Sequence, residues 1–123
     1  MLYNNFIIYI ICLNTPGLTL KTNFGNYTMF NSFSSNDACQ LLANGAQLVD
    51  VRSSNEFAQG ALPNAINLPL QSIMTADRII DRNKAVILYC VTGIRSSTAK
   101  NYLIQMGYKN VNDLGSFKNY NCE

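Results

Sequence analysis

From about Met29 onward the apolar residues of this chain recur in two alternating rhythms. Gln47 to Val51 and Val86 to Tyr89 are short, nearly continuous apolar runs, the pattern of strands whose two faces are both covered. Ala65 to Leu68, entered through Pro63-Asn64 and closed by Pro69, and Asn110 to Leu114 complete the expected strands. Between them the apolar positions fall at helical spacing. Ala38, Leu41 and Leu42 follow the capping box Ser34-Ser35-Asn36-Asp37 and end at Asn44-Gly45, and Ser53-x-x-Glu56 opens a short helix that stops near Gly60. Ile73, Ala76 and Ile80 mark the inner face of a helix over Gln71 to Ile80. Ala99, Leu103 and Met106 mark another, capped by Ser96 or Ser97 and stopped by Gly107. Strands separated by helices predict an α/β domain with a parallel central sheet of about four to five strands and helices on both faces. In such sheets, ligands bind beyond the C-terminal strand ends.

Residues 1–28 break this rhythm. Phe6 to Leu13 is apolar but shorter than the ~20 residues that cross a bilayer, so no stable membrane span is expected. No Lys or Arg precedes it, and Thr15-Pro16-Gly17 reads as a turn rather than a small-residue cleavage site. The segment is expected to be a weakly ordered extension, leaving 29–123 as the domain. A cytoplasmic location is expected, or a periplasmic one if residues 1–28 act as a signal peptide.

Composition narrows the chemistry. At 123 residues the chain allows one domain, and its nine basic against seven acidic side chains form no basic block of the kind that binds nucleic acid. It has no histidine, and Cys12, Cys39, Cys90 and Cys122 make no Cys-x-x-Cys pair, so neither a metal site nor a cofactor is expected. The even cysteine count permits disulfides, but a chain of this size folds on its core without them. Cys39 is expected to be structural. Cys122, on a C-terminal tail able to reach a pocket, is the candidate resolving thiol.

Cys90 stands where the Val86 to Tyr89 strand ends, before Gly93 and the helix that carries Ala99 and Leu103. Unpaired N–H groups of the loop and helix start favour a negative charge there, and Arg95 adds a permanent cation. By itself the position fits a small core residue as well as it fits a nucleophile.

The neighbours decide between them. Cys-x4-Arg-Ser at a strand end, with Asp50-Val51-Arg52, Glu56-Phe57, Gly60, Ala65-Ile66-Asn67-Leu68-Pro69 and Val111 to Gly115 in this order, resembles the rhodanese (sulfurtransferase) family from about Phe33 to Tyr120. The resemblance implies a rhodanese-like fold and two-step transfer through a Cys90 persulfide. A small donor such as thiosulfate or a persulfide would supply the sulfur, cyanide or a thiol would accept it, and a protein is a possible donor or acceptor. Val91, Thr92, Gly93 and Ile94 would present N–H groups to the sulfur. Arg95 would hold the loop in shape or the donor in place, and Ser96 would support the loop. Arg52 is either a contact for the substrate anion or, as favoured here, part of a structural cluster with Asp50 and Glu56. Ala61, Ser116 and Tyr120 depart from the histidine, second glycine and tryptophan common in that family. A dual-specificity phosphatase or arsenate reductase is the alternative enzyme, but its Cys-x5-Arg loop is one residue longer. A non-catalytic module is the third reading, though such modules often lack the cysteine.

Overall fold

The computed structural model describes residues 33–123, so the expectations for residues 1–28 and for a domain start at Met29 lie outside the described residues. Ser34 opens helix α1 (Ser35–Ala43) through a reciprocal cap. Its hydroxyl accepts the Asp37 N–H at 3.1 Å, and the Asp37 carboxylate accepts the Ser34 N–H at 2.8 Å. Strand β1 (Gln47–Asp50) follows, then helix α2 (Ser54–Ala58), which Ser53 and Glu56 cap in the same reciprocal way. After strand β2 (Ile66–Asn67) comes a 3-10 helix (Leu70–Arg78), and strand β3 (Val86–Cys90) leads into helix α3 (Ile94–Gln105). Strand β4 (Val111–Ser116) and a 3-10 turn (Phe117–Asn119) complete the described chain.

The four strands form one parallel sheet in the order β2-β1-β3-β4. Every residue of β3 is buried, as a central parallel strand covered on both faces must be. Val86, Leu88 and Cys90 face Ile73, Ala76, Ile80, Ala99, Leu103 and Tyr108. Ile87 and Tyr89 face the other way, into a second cluster with Ala38, Leu48 and Leu114, against which Leu41, Leu42, Phe117 and Tyr120 pack. The period of two along β3 thus divides one strand between two cores. The chain leaves β1 for β2 on one side and returns to β3 on the other, so the C-terminal ends of β1 and β3 flank the point where the order reverses. That crevice is where open α/β sheets bind their ligands.

The expectations for the third helix and for Cys122 change in three dimensions. The third helix is 3-10 over Leu70–Arg78 rather than α-helical over Gln71 to Ile80. Ile73 and Ala76 are three residues apart, which the tighter helix stacks on one face, and Pro69 offers no side-chain cap for an α-helical start. Cys122 is not a free resolving thiol, because it is disulfide-bonded to Cys39, with the two Cα atoms 5.4 Å apart. The bond forms because α1 and the segment after β4 pack on the same face of the sheet, through Ala38 on one side and Phe117 and Tyr120 on the other.

Candidate active site

Two charged arrangements surround the strand ends, and they differ from the single cluster expected from the sequence. Asp50, at the end of β1, accepts the Arg52 backbone N–H at 2.9 Å, Arg52 Nε at 2.9 Å, Arg52 Nη2 at 2.6 Å and the Tyr89 hydroxyl at 2.8 Å. Arg52 Nη2 also donates to the Gly60 carbonyl at 2.8 Å, and the guanidinium lies 5.7 Å from the ring centroids of both Tyr89 and Phe117. Burial pushes the Tyr89 phenol up to about 12, so it stays protonated, donating to Asp50 while accepting the Leu62 N–H. Asn67 Nδ2 donates to the carbonyls of Asp50 and Arg52. These contacts tie the ends of β1, β2 and β3 together. Arg52 is buried, with its guanidinium engaged by Asp50 and Gly60.

Glu56 stands apart from that pair and binds Arg95 instead. Arg95 Nη1 donates to Glu56 Oε1 at 2.7 Å and Nη2 to Oε2 at 3.1 Å, a two-pronged ion pair that anchors the start of α3 to α2. The sequence offered Arg95 few structural partners inside its loop. Thirty-nine positions away along the chain, Glu56 supplies one. Hydrogen bonding by Arg95, followed by the Ser53 N–H, holds the Glu56 carboxyl down at about 2, below its ordinary range. The pair therefore contributes fully above the ordinary glutamate pKa, and its contribution is lost as pH falls from there toward 2. Glu56→Gln keeps an acceptor for the α2 cap but removes the charge. At pH 7 it is expected to lower the urea midpoint of unfolding, with the difference from wild type closing as the pH approaches 2. A difference that stays constant down to pH 2 would show that the charge is not what matters.

Cys90, at the end of β3, has no exposed surface. Its sulfur accepts the Gly93 N–H at 3.0 Å and the Ser96 N–H at 3.4 Å, and the Ser96 hydroxyl lies 3.6 Å away. Burial pushes the thiol up, but hydrogen bonding with the Ser96 side chain and from the N–H groups of Ser96, Gly93 and Arg95 together outweighs it. The result is a pKa below the ordinary value.

The N-cap of α3 is Gly93 rather than either serine, with φ at +96°, a left-handed conformation that a side chain would strain. Ser96 lies inside the first turn, where its hydroxyl also reaches the Gly93 carbonyl at 3.2 Å. With its proton on that carbonyl, the Ser96 oxygen accepts from the Cys90 thiol at 3.6 Å. Val91 is half-buried, Thr92 is exposed, and Ile94 is 73% exposed at the start of the helix. Tyr89 is the contributor that sequence reasoning missed. Its hydroxyl bridge to Asp50 was foreshadowed only by its position beside Cys90 at a strand end.

A cysteine with a lowered pKa that accepts two backbone N–H groups, at the switch point of a parallel sheet, is an arrangement able to support a sulfur nucleophile in an α/β domain. The model of the rhodanese-like domain matches residues 34–122. The chain is 39% identical over 88 residues to a sulfurtransferase of Allochromatium vinosum, a match that covers 70% of this chain and 82% of that protein. Among solved structures, a rhodanese from E. coli determined with anions superposes with a TM-score of 0.58 at 32% identity, covering 64% of this chain and 95% of that one. The human single-domain sulfurtransferase TSTD1 gives a TM-score of 0.65 at 24% identity, covering 74% and 95%. The chain belongs to the rhodanese-like domain family, and by class it is a sulfurtransferase.

Proposed function

We propose that Cys90 carries a sulfane sulfur from a donor to a thiophilic acceptor as a persulfide. In the first step the thiolate attacks the outer sulfur of the donor. A new S–S bond forms at Cys90, and the rest of the donor leaves with the electron pair of the bond that breaks. In the second step cyanide or a thiolate attacks the outer sulfur, and Cys90 departs as thiolate. No net oxidation occurs, so no cofactor is called for.

The observation that carries this reading is the pair of backbone N–H groups, from Gly93 and Ser96, that converge on Cys90 Sγ. Fixed dipoles of this kind stabilise negative charge on the attacking thiolate, and they remain in place when the charge moves onto the added sulfur. Because Cys90 has no exposed surface, the loop must yield to admit the donor. Arg95 acts on this reading through Glu56, as a positioning residue for the loop, and Arg52 does the same through Asp50.

Exposure of the purified protein to a sulfane-sulfur donor, followed by intact mass measurement, is expected to show one added sulfur that cyanide removes. In parallel, an aryl phosphate is expected to be hydrolysed negligibly, because the loop closes on a single sulfur atom. Rapid phosphate release with no added sulfur would overturn the assignment in favour of the phosphatase alternative.

The Cys39–Cys122 bond also supports an oxidising compartment in place of the expected cytoplasm, since such bonds persist where thiols are not kept reduced.

A further inference from the structure

At the C-terminal edge of the sheet, Arg52 is engaged by Asp50 and Arg95 by Glu56, so each of these cations carries its own counter-charge. Lys118 differs from both, being exposed and forming no ion pair among the described residues. The turn that carries it lies at the same edge, because Ser116 is the register partner of Cys90 on the neighbouring strand β4. Gly115 also approaches the Cys90 loop so closely that a Cβ on Gly93 would stand 3.5 Å from the Gly115 Cα. Three hydrogen bonds fix the turn. The Ser116 hydroxyl accepts the Lys118 N–H at 3.1 Å, the Phe117 carbonyl accepts the Tyr120 N–H at 3.1 Å, and Asn119 Nδ2 donates to the Leu114 carbonyl at 2.8 Å.

Neighbouring strands lie about 5 Å apart and a 3-10 turn rises about 2 Å per residue, so the Lys118 backbone stays within roughly 10 Å of Cys90, about one Debye length at 0.1 M salt. The other unpaired cations among the described residues stand elsewhere. Lys84 and Lys109 precede β3 and β4 at the opposite edge of the sheet, Arg78 ends the 3-10 helix after β2, and Lys100 lies midway along α3. Asp113 and Glu123 make no ion pair with Lys118, and the Asp113 carboxylate accepts the Gly115 N–H at 2.8 Å.

An anionic donor approaching the Cys90 thiolate meets like charge, and the compensated pairs Arg52–Asp50 and Arg95–Glu56 do little to offset it at a distance. An uncompensated cation within a Debye length raises the local concentration of such an anion and so its rate of encounter. We propose that Lys118 steers anionic sulfur donors to the Cys90 edge and so sets how far the chain prefers a charged reagent over a neutral one. The inference rests on Cys90 being the sulfur carrier, and it gives a residue outside the Cys90 loop a part in the encounter with substrate. Steering acts through the field of the charge, so it requires no contact between Lys118 and the sulfur.

The test compares two rates at Cys90: gain of one sulfur from thiosulfate, and alkylation by neutral iodoacetamide. Both are read by intact mass, with a Cys90→Ser chain as blank, and their ratio divides out any change in the thiolate itself. At about 0.01 M ionic strength, Lys118→Gln is expected to lower the ratio about threefold and Lys118→Glu about tenfold, the effect of one and of two charge steps on a dianion at this range. At about 0.3 M both differences are expected to shrink below about twofold. Lys118→Arg keeps the charge and is expected to keep the wild-type ratio. Lys109→Gln makes the same change in net charge at the far edge of the sheet and is expected to leave the ratio within about 1.5-fold of wild type. An unchanged ratio in Lys118→Glu, an equal fall in Lys109→Gln, or a fall that persists at the higher salt would overturn the inference and leave the sulfurtransferase reading standing. Loading of Cys90 by a persulfide but not by thiosulfate would do the same. Loading by neither would remove both.

Discussion

Cys90→Ser is expected to reduce sulfur transfer on the order of 10⁴-fold or more, the scale on which loss of an enzymic nucleophile acts. The chain should still melt as cooperatively as wild type. A serine hydroxyl is slightly smaller than the thiol and accepts the same N–H groups of Gly93 and Ser96, so the loop has no reason to rearrange. What disappears is the anion. Those donors, with the Ser96 hydroxyl, bring the thiol below its ordinary pKa despite complete burial, whereas an alkoxide is out of reach at neutral pH. The measurement is single-turnover gain of sulfur by intact mass beside a thermal melt. Substantial transfer by the serine variant would move the chemistry to another thiol. An unfolded variant would mean that the sulfur serves the core, where Cys90 packs with Leu88 and Ala99.

Loss of the Cys39–Cys122 bond should have the largest effect on stability. It joins residues 83 positions apart, and removing a native bridge commonly costs about 2–5 kcal/mol, more when the closed loop is long. For a domain of this size that corresponds to a fall in Tm of at least about 10 °C. The double variant Cys39→Ser/Cys122→Ser, which avoids a lone reactive thiol, is expected to show that fall while keeping most of the transfer activity, because the bond joins segments packed on the face of the sheet opposite Cys90. The segment it releases carries Phe117, which covers the Arg52 guanidinium, and Asn119, whose side chain donates to the Leu114 carbonyl at 2.8 Å. An unchanged Tm would show that Phe117 and Tyr120 hold the C-terminal segment to the sheet by packing alone.

The features legible in the sequence were those set by a few neighbouring residues. Both capping boxes, at Ser34 and Ser53, are written in four-residue windows, and the turn at Pro63-Asn64 and the stop at Gly107 in shorter ones. The apolar run Val86 to Tyr89 identified the central strand because only a strand covered on both faces tolerates side chains of that kind at every position. From the alternation of elements followed the parallel sheet, and from the sheet the placing of Cys90 at its ligand-binding edge.

Tertiary structure alone decided the partners of charged and reactive groups. Glu56 could have closed on Arg52, four residues away, yet it binds Arg95, because packing brings α2 beside the start of α3 while Asp50 already engages Arg52 from the preceding strand. Cys122 meets Cys39 for the same kind of reason, as two segments 83 residues apart share one face of the sheet. Even within the loop after Cys90, the left-handed Gly93 took the cap position and turned Ser96 toward the sulfur, against the preference of serine for capping. Propensities act over a turn of helix or a step of strand, and they leave their trace in composition. Ion pairs and disulfides form between whichever groups the packed layers bring within a few ångströms, and that proximity is a property of the whole fold.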